Sequence, residues 1–428
     1  MRSGGLLRTN QAYRSLWLAR VGSQFGDWFN LVALTQVALV LTHSPTALGV
    51  VLLCRSLPAV ALGPFAGPLV DRFPKRPLLV ATDLVRVACA LAYTLAVVSH
   101  VGWILYAGSV LLGAAGVLFE PARNAAIPLV VARDDLPEAN ALESGTAGVV
   151  QILGAAAGGL VAVAVSPILC FAINAASYLW SASCILQARW QEGSAPQDTQ
   201  LSYVRALAVG FRVAARNRVA RAIIVIGVSW GLAGGGYYIP IPILGQQTFH
   251  LGGFGIGLLY TIDGVGVLIG SSLVRRMVAG SHHKAVVWYG VAYLAQALFF
   301  AVLAQCTVFL AGGLMLLLMR ISSGVIIPLD TYLLQTSTDP DIRGRVFALH
   351  GSTYGGVMQG SYVLTGYAYG HLGVPRTGLL IGAVSLLCGL SWLAQFGGRV
   401  PKQQGLTPSA PSDRVCCEPS THSQSPGR

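Results

Sequence analysis

The sequence predicts an all-α membrane protein: twelve transmembrane helices in two pseudo-symmetric six-helix halves. Three observations lead there: an apolar composition, apolar runs of spanning length, and a one-sided placement of Lys and Arg. Of 428 residues, 54% are hydrophobic and 10% charged, against roughly 25% charged in a soluble domain. A sheath of lipid accounts for that deficit better than a large dry core, and the mean hydropathy of +0.64 agrees. Closed barrels also span bilayers, but these runs are too long and too uniformly apolar for strands. The net charge of +12 sits in short loops rather than on one soluble face, which argues against a nucleic-acid partner.

A helix needs about 20 apolar residues to cross the hydrocarbon. Residues 1–15 are polar and basic, with no cleavage pattern behind a short apolar core, so they are expected to remain as a cytoplasmic N-terminus. The runs 16–41, 46–70, 77–98, 103–120, 141–165 and 168–189 form a first bundle, 16–189. A polar linker, 190–219, follows. Within it 202–218 carries Tyr203, Leu207 and Phe211 on one side, the pattern of an amphipathic helix lying on the cytoplasmic surface. The runs 220–244, 254–277, 285–304, 308–330, 346–370 and 377–398 form a second bundle, 220–398. The tail 399–428 is rich in Pro and Ser and expected to be disordered.

With the N-terminus inside, 23 of the 28 Lys and Arg fall on cytoplasmic segments and Arg376 alone on an outer one. That asymmetry places both termini in the cytoplasm. An internal repeat supports two halves. Pro121 to Leu142 and Pro328 to Leu349 are equally long, each opening with a Pro expected to end a helix and closing on Ala-Leu. Two halves of one topology describe a kind of secondary transporter, with its substrate at their interface.

Charge inside a bilayer is costly and faces the bundle interior or a cavity. Asp27 and Arg55 fall at similar depth in the first two spans and are expected to pair. Asp263 stands near mid-depth in the eighth span and Arg320 nearer the inside in the tenth. An isolated carboxylate in low dielectric takes up a proton more readily than a paired one, so Asp263 is the better proton carrier unless Arg320 reaches it. Structural pinning between helices is the competing role for each. Gln24, Asn30, Gln151, Asn174, Trp230, Tyr237, Tyr260, Tyr354 and Gln359 are candidate cavity residues. Such aromatic walls would suit an amphipathic or cationic-aromatic solute.

The turn between the second and third spans packs Gly67, Leu69, Asp71, Arg72, Lys75 and Arg76 into ten residues. This resembles the helix 2–3 signature of the major facilitator superfamily, with Pro74 where that family has Gly. Asp83, Arg86 and Glu120 are candidate partners of the cluster. By the resemblance, Asp71 would brace the halves near Arg345 and Val346. The matching loop at 274–284 has Val274 where an acid would fall, so the latch is expected on one side only. Gly145, Gly154, Gly158 and Gly159 resemble the antiporter signature of the drug–proton branch, with Ala155 replacing its Pro; small-residue helix packing is the alternative. Ser23 to Trp28, Pro121 to Arg123 and Arg343 to Phe347 are similar to the bacterial macrolide and enterobactin exporters.

The resemblance implies a proton-coupled exporter of small organic molecules, such as drugs or siderophores, in the bacterial plasma membrane. It would act as a monomer by alternating access. An uptake symporter, a lysophospholipid flippase and a non-transporting scaffold or sensor are the alternatives. No Ser/His/Asp set, metal-ligand spacing or phosphate loop is present, so neither an enzyme nor an ATP-driven pump is expected. No cofactor is expected beyond a proton gradient. Six cysteines lie in apolar runs and read as packing residues, while Cys416 and Cys417 sit in the tail.

Overall fold

The computed structural model describes residues 5–188, 208, 211–212, 215–338 and 340–398. A short helix, Gly5–Thr9, leads into α1 (Gln11–Thr42). There follow α2 (Pro45–Arg72), α3 (Lys75–Ser99), α4 (Trp103–Val130), α5 (Leu136–Ala164), α6 (Pro167–Gln187), α7 (Arg218–Tyr238), α8 (Gly252–Val278), α9 (His282–Leu303), α10 (Phe309–Ser337) and α11 (Pro340–Trp392). Every regular element among the described residues is helical, and eleven segments are long and apolar enough to cross a membrane. A helix satisfies its backbone groups within its own segment, as lipid requires.

Local sequence sets the helix starts. Asn10, Ser44, Ser166, Asn217 and Ser281 each accept a backbone N–H of the following first turn, meeting donors a helix leaves unpaired. Pro45 and Pro167 stand where the missing N–H costs nothing. Asn10 also donates to the Val130 carbonyl, closing the end of α4. Asn217, 207 positions later, donates to the Ser337 carbonyl at the end of α10.

One expectation is corrected here. Pro121 and Pro328 do not end helices: α4 runs on to Val130 and α10 to Ser337. Proline removes one donor, and in a bundle neighbouring groups make up the loss. The spans foreseen at 346–370 and 377–398 lie on either side of a kink in α11 at Gly373, whose φ of 75° and ψ of 172° are non-helical. The seventh span continues past α7 through Pro240–Ile243 into a wider turn, Leu244–Thr248. The linker 190–219, most of the proposed surface helix and the tail lie outside the described residues.

Packing separates two ends of the bundle. At the end carrying residues 43–44, α2 meets α11 and α5 meets α8 backbone to backbone. A Cβ on Gly366 would lie 2.6 Å from the Pro45 carbonyl, and one on Gly159 would lie 2.8 Å from both the Gly253 carbonyl and Gly257 Cα. Lipid tails are as apolar as Leu, so membrane helices associate through such close packing. Toward the end carrying residues 73–74 α2 and α11 part. Gly63, Gly145, Gly351, Gly355, Gly356 and Gly360 all face open space. On α11, Ser361, Tyr362, Thr365 and Tyr369 are buried, whereas nothing from 350 to 360 is.

Candidate functional site

The bundle interior holds polar groups where the helices part. On α1, Asp27 accepts a hydrogen bond of 2.5 Å from the Tyr178 hydroxyl of α6 and lies 3.8 Å from Arg55 of α2. Both partners keep access to water, with side chains 33% and 26% exposed. They line a cavity of about 450 Å³ with Arg86, Gly116, Glu120 and Tyr178.

Asp263 of α8 is not alone. Arg320 of α10 reaches it with Nε at 2.5 Å and Nη2 at 3.3 Å, and the Gln151 amide of α5 donates at 3.3 Å. Both charges are sealed, at 4% and 8% exposure. The reading of Asp263 as the isolated carboxylate is therefore corrected. Its position on α8 puts it directly against the α10 face that carries Arg320, where Gly266 leaves room for the Arg320 Cβ. A guanidinium this close offsets part of the cost of burying the carboxylate.

The residues assigned to one cytoplasmic latch lie apart. Asp83 and Arg86 are more than two turns into α3 and buried. They pair at 3.5 Å, and the Arg86 guanidinium lies 4.0 Å from the Phe119 ring centroid. Lys75 is buried, donating from Nζ to the Val70 and Phe73 carbonyls, while Arg76 donates to the Leu186 carbonyl. Each thereby closes a helix end whose last carbonyls would be unpaired. Arg72 is exposed. Gly67 and Asp71 belong to the last turns of α2, and the contact expected between Asp71 and Arg345 lies outside what is described.

Glu120 is mid-helix in α4, where it joins a network the sequence did not reveal. Arg20 contacts Glu120 at 3.1 Å and Glu143 at 3.0 Å; Arg123 contacts Glu143 at 2.7 Å and Glu120 at 3.5 Å. Three helices, α1, α4 and α5, are tied there. A second unforeseen group joins α9, α10 and α11: Tyr289 donates to Asp330 at 2.6 Å, and His350 Nε2 lies 2.9 Å from the other oxygen. The repeat offset was the available signal, since Arg123 and Glu143 map onto Asp330 and His350.

The glycines of α5 serve two neighbours rather than one face. Gly154 and Gly158 admit Trp28 and Phe29 of α1, Gly159 admits α8, and Gly145 faces open space. Among the cavity candidates, Trp230 stacks on Tyr354 at 5.0 Å, and Gln24, Gln151 and Gln359 are half-buried near them in depth. Asn30, Asn174, Tyr237 and Tyr260 are instead buried between helices. Tyr237 pairs with Ser385, and Tyr260 packs edge-on against Trp28 at 5.8 Å. Polar side chains in a span are sheltered by neighbouring helices as readily as by a cavity, and the sequence does not distinguish the two.

The family model for transmembrane secretion effectors, a branch of the major facilitators, matches residues 7–421. The chain belongs to that family. Relatives include an uncharacterized MFS-type transporter, y4rN, of Sinorhizobium fredii, 26% identical over 78% of this chain and 83% of its own length. Macrolide efflux protein A of Streptococcus pyogenes is 23% identical over 83% of this chain and 91% of its own. Among solved structures, the nucleoside transporter NupG superimposes with a TM-score of 0.71 at 13% identity, covering 90% of this chain and 99% of that one. The chain is thus a multi-pass membrane transporter of the major facilitator fold, and not an enzyme.

Proposed function

We propose that this transporter is a proton-driven exporter of small organic molecules, working by alternating access between two six-helix halves with both termini in the cytoplasm. Counting α11 as two spans across Gly373 gives twelve. The packing partners then repeat: α1 with α6 and α5, α2 with α4, and α3 with α4 and α6 in one set; the same relations among α7 to α11 in the other. Only α2–α11 and α5–α8 among the strongest contacts join the two sets. The observation that carries the reading is that α2 and α11 meet tightly at one end and part at the other. The open end is the one rich in Lys and Arg, hence cytoplasmic, and the state is inward-open.

Efflux-named relatives favour export. The half-buried Trp230–Tyr354 stack and the Asp27 carboxylate suit a cationic-aromatic solute. The test uses inverted membrane vesicles, ethidium as probe and an imposed pH gradient, acid inside. Ethidium should enter vesicles carrying the protein faster than control vesicles, and collapsing the gradient should abolish the difference. Equal entry with and without the gradient refutes proton drive, and gradient-driven movement in the opposite direction indicates uptake.

A further inference from the structure

The two unforeseen polar groups occupy the same place in the repeat. Residues 20, 123 and 143 correspond, at an offset of 207, to Gly227, Asp330 and His350. In the first set the three side chains are Arg20, Arg123 and Glu143, in contact at 3.0 and 2.7 Å. In the second, Asp330 and His350 are in contact at 2.9 Å, and Gly227 replaces the outer arginine. That glycine makes room for the imidazole: a Cβ there would lie 2.6 Å from His350 Cε1 and 3.0 Å from Nδ1. The Asn10–Val130 and Asn217–Ser337 bonds obey the same offset, so the correspondence is one of structure as well as sequence.

One bond is therefore built twice with different chemistry. A guanidinium stays charged across the physiological range, whereas an imidazole is the side chain that gains and loses its proton there. We propose that the His350–Asp330 couple is a proton-binding site, and that the bound proton ties α11 to α10 on the cytoplasmic side. Its surroundings suit a reversible site. Tyr289 of α9 donates to the free Asp330 oxygen. Tyr293 of α9 and Tyr354 of α11 lie within electrostatic reach of Asp330, and Gly227 of α7 lies against the imidazole. Nδ1 is buried without a partner. The side chains keep 16% and 19% exposure, while Asp263 and Arg320 are sealed. The couple stands where α11 leaves its packing and enters the open stretch 350–360.

With the proton bound, imidazolium faces carboxylate and the cytoplasmic arm of α11 stays on α10, away from α2. Loss of the proton to water at the open end removes one charge of the pair and frees the arm to swing toward α2. Only an N–H bond is made or broken. This rests on the proposed proton-driven transport.

The test measures the spacing of nitroxides on Asn140→Cys and Gly344→Cys by pulsed electron resonance. The protein is held in lipid nanodiscs, native cysteines replaced, between pH 5.5 and 8.0. The spacing should shorten as pH rises. His350→Gln and Asp330→Asn should abolish the pH response, and His350→Arg should hold the low-pH spacing throughout. Gel-filtration elution of each variant verifies folding. A pH-independent spacing in the parent, or a response that survives His350→Gln, overturns the site. If ethidium ignores the pH gradient while the spacing follows His350, the site stands and the transport reading falls.

Discussion

The Asp263–Arg320 pair gives the sharpest energetic test. Arg320→Leu would leave a carboxylate 4% exposed with the Gln151 amide at 3.3 Å as its remaining hydrogen bond. Removing one partner of a buried pair costs about 3–5 kcal/mol, because an uncompensated charge stays behind, whereas replacing both by apolar groups is often neutral. Arg320→Leu should therefore lose about 3–5 kcal/mol and Asp263→Leu a similar amount. The double variant should recover most of that loss. The Asp27–Arg55 pair is the internal control: at 3.8 Å, with both partners open to water, its coupling belongs with the exposed pairs at about 0–1 kcal/mol. The assay is reversible unfolding of the four variants of each cycle in mixed micelles. Simple additivity at Asp263–Arg320, or a coupling at Asp27–Arg55 equal to it, would refute the burial argument.

Glu143→Gln should cost about 3–5 kcal/mol, since Arg20 and Arg123 both lean on that carboxylate; a loss under 1 kcal/mol in the same assay rejects the network. Gly159→Leu should wedge α5 from α8 at the closed end, and a cysteine reagent confined to the outer side should then label Gly253→Cys faster than in the parent background. Unchanged labelling would show the joint to be looser than described. Gly227→Ala places a Cβ against the His350 imidazole and should cost about 1–3 kcal/mol as an overpacked site; a neutral result in thermal unfolding contradicts the contact. Pro121→Ala should leave helix content by circular dichroism unchanged, because α4 already continues through that position.

The spans were legible because bilayer thickness imposes a length on apolar runs, and each of the first ten predicted runs has a helix over it. Helix ends inside the bundle were not. Pro121 and Pro328 read as breaks, yet α4 and α10 run through them, while the break read before Arg376 falls at Gly373. Depth along a helix was legible too, since rise per residue is fixed, and it brought Asp27 to Arg55. Direction around the helix was not, and so Asp263 was taken as solitary while Arg320 lay against it.

By itself, the order of residues determined a lipid-embedded bundle, its repeat and the side on which positive charge collects. These follow from hydrophobicity, helix length and the energetics of charge at a membrane. Only the packed bundle decided which charges meet, which end is shut and where His350 lies against Asp330. Those depend on how helices rotate and close on one another, and glycines at Gly159, Gly257 and Gly366 set that closure through contacts between residues far apart in the chain.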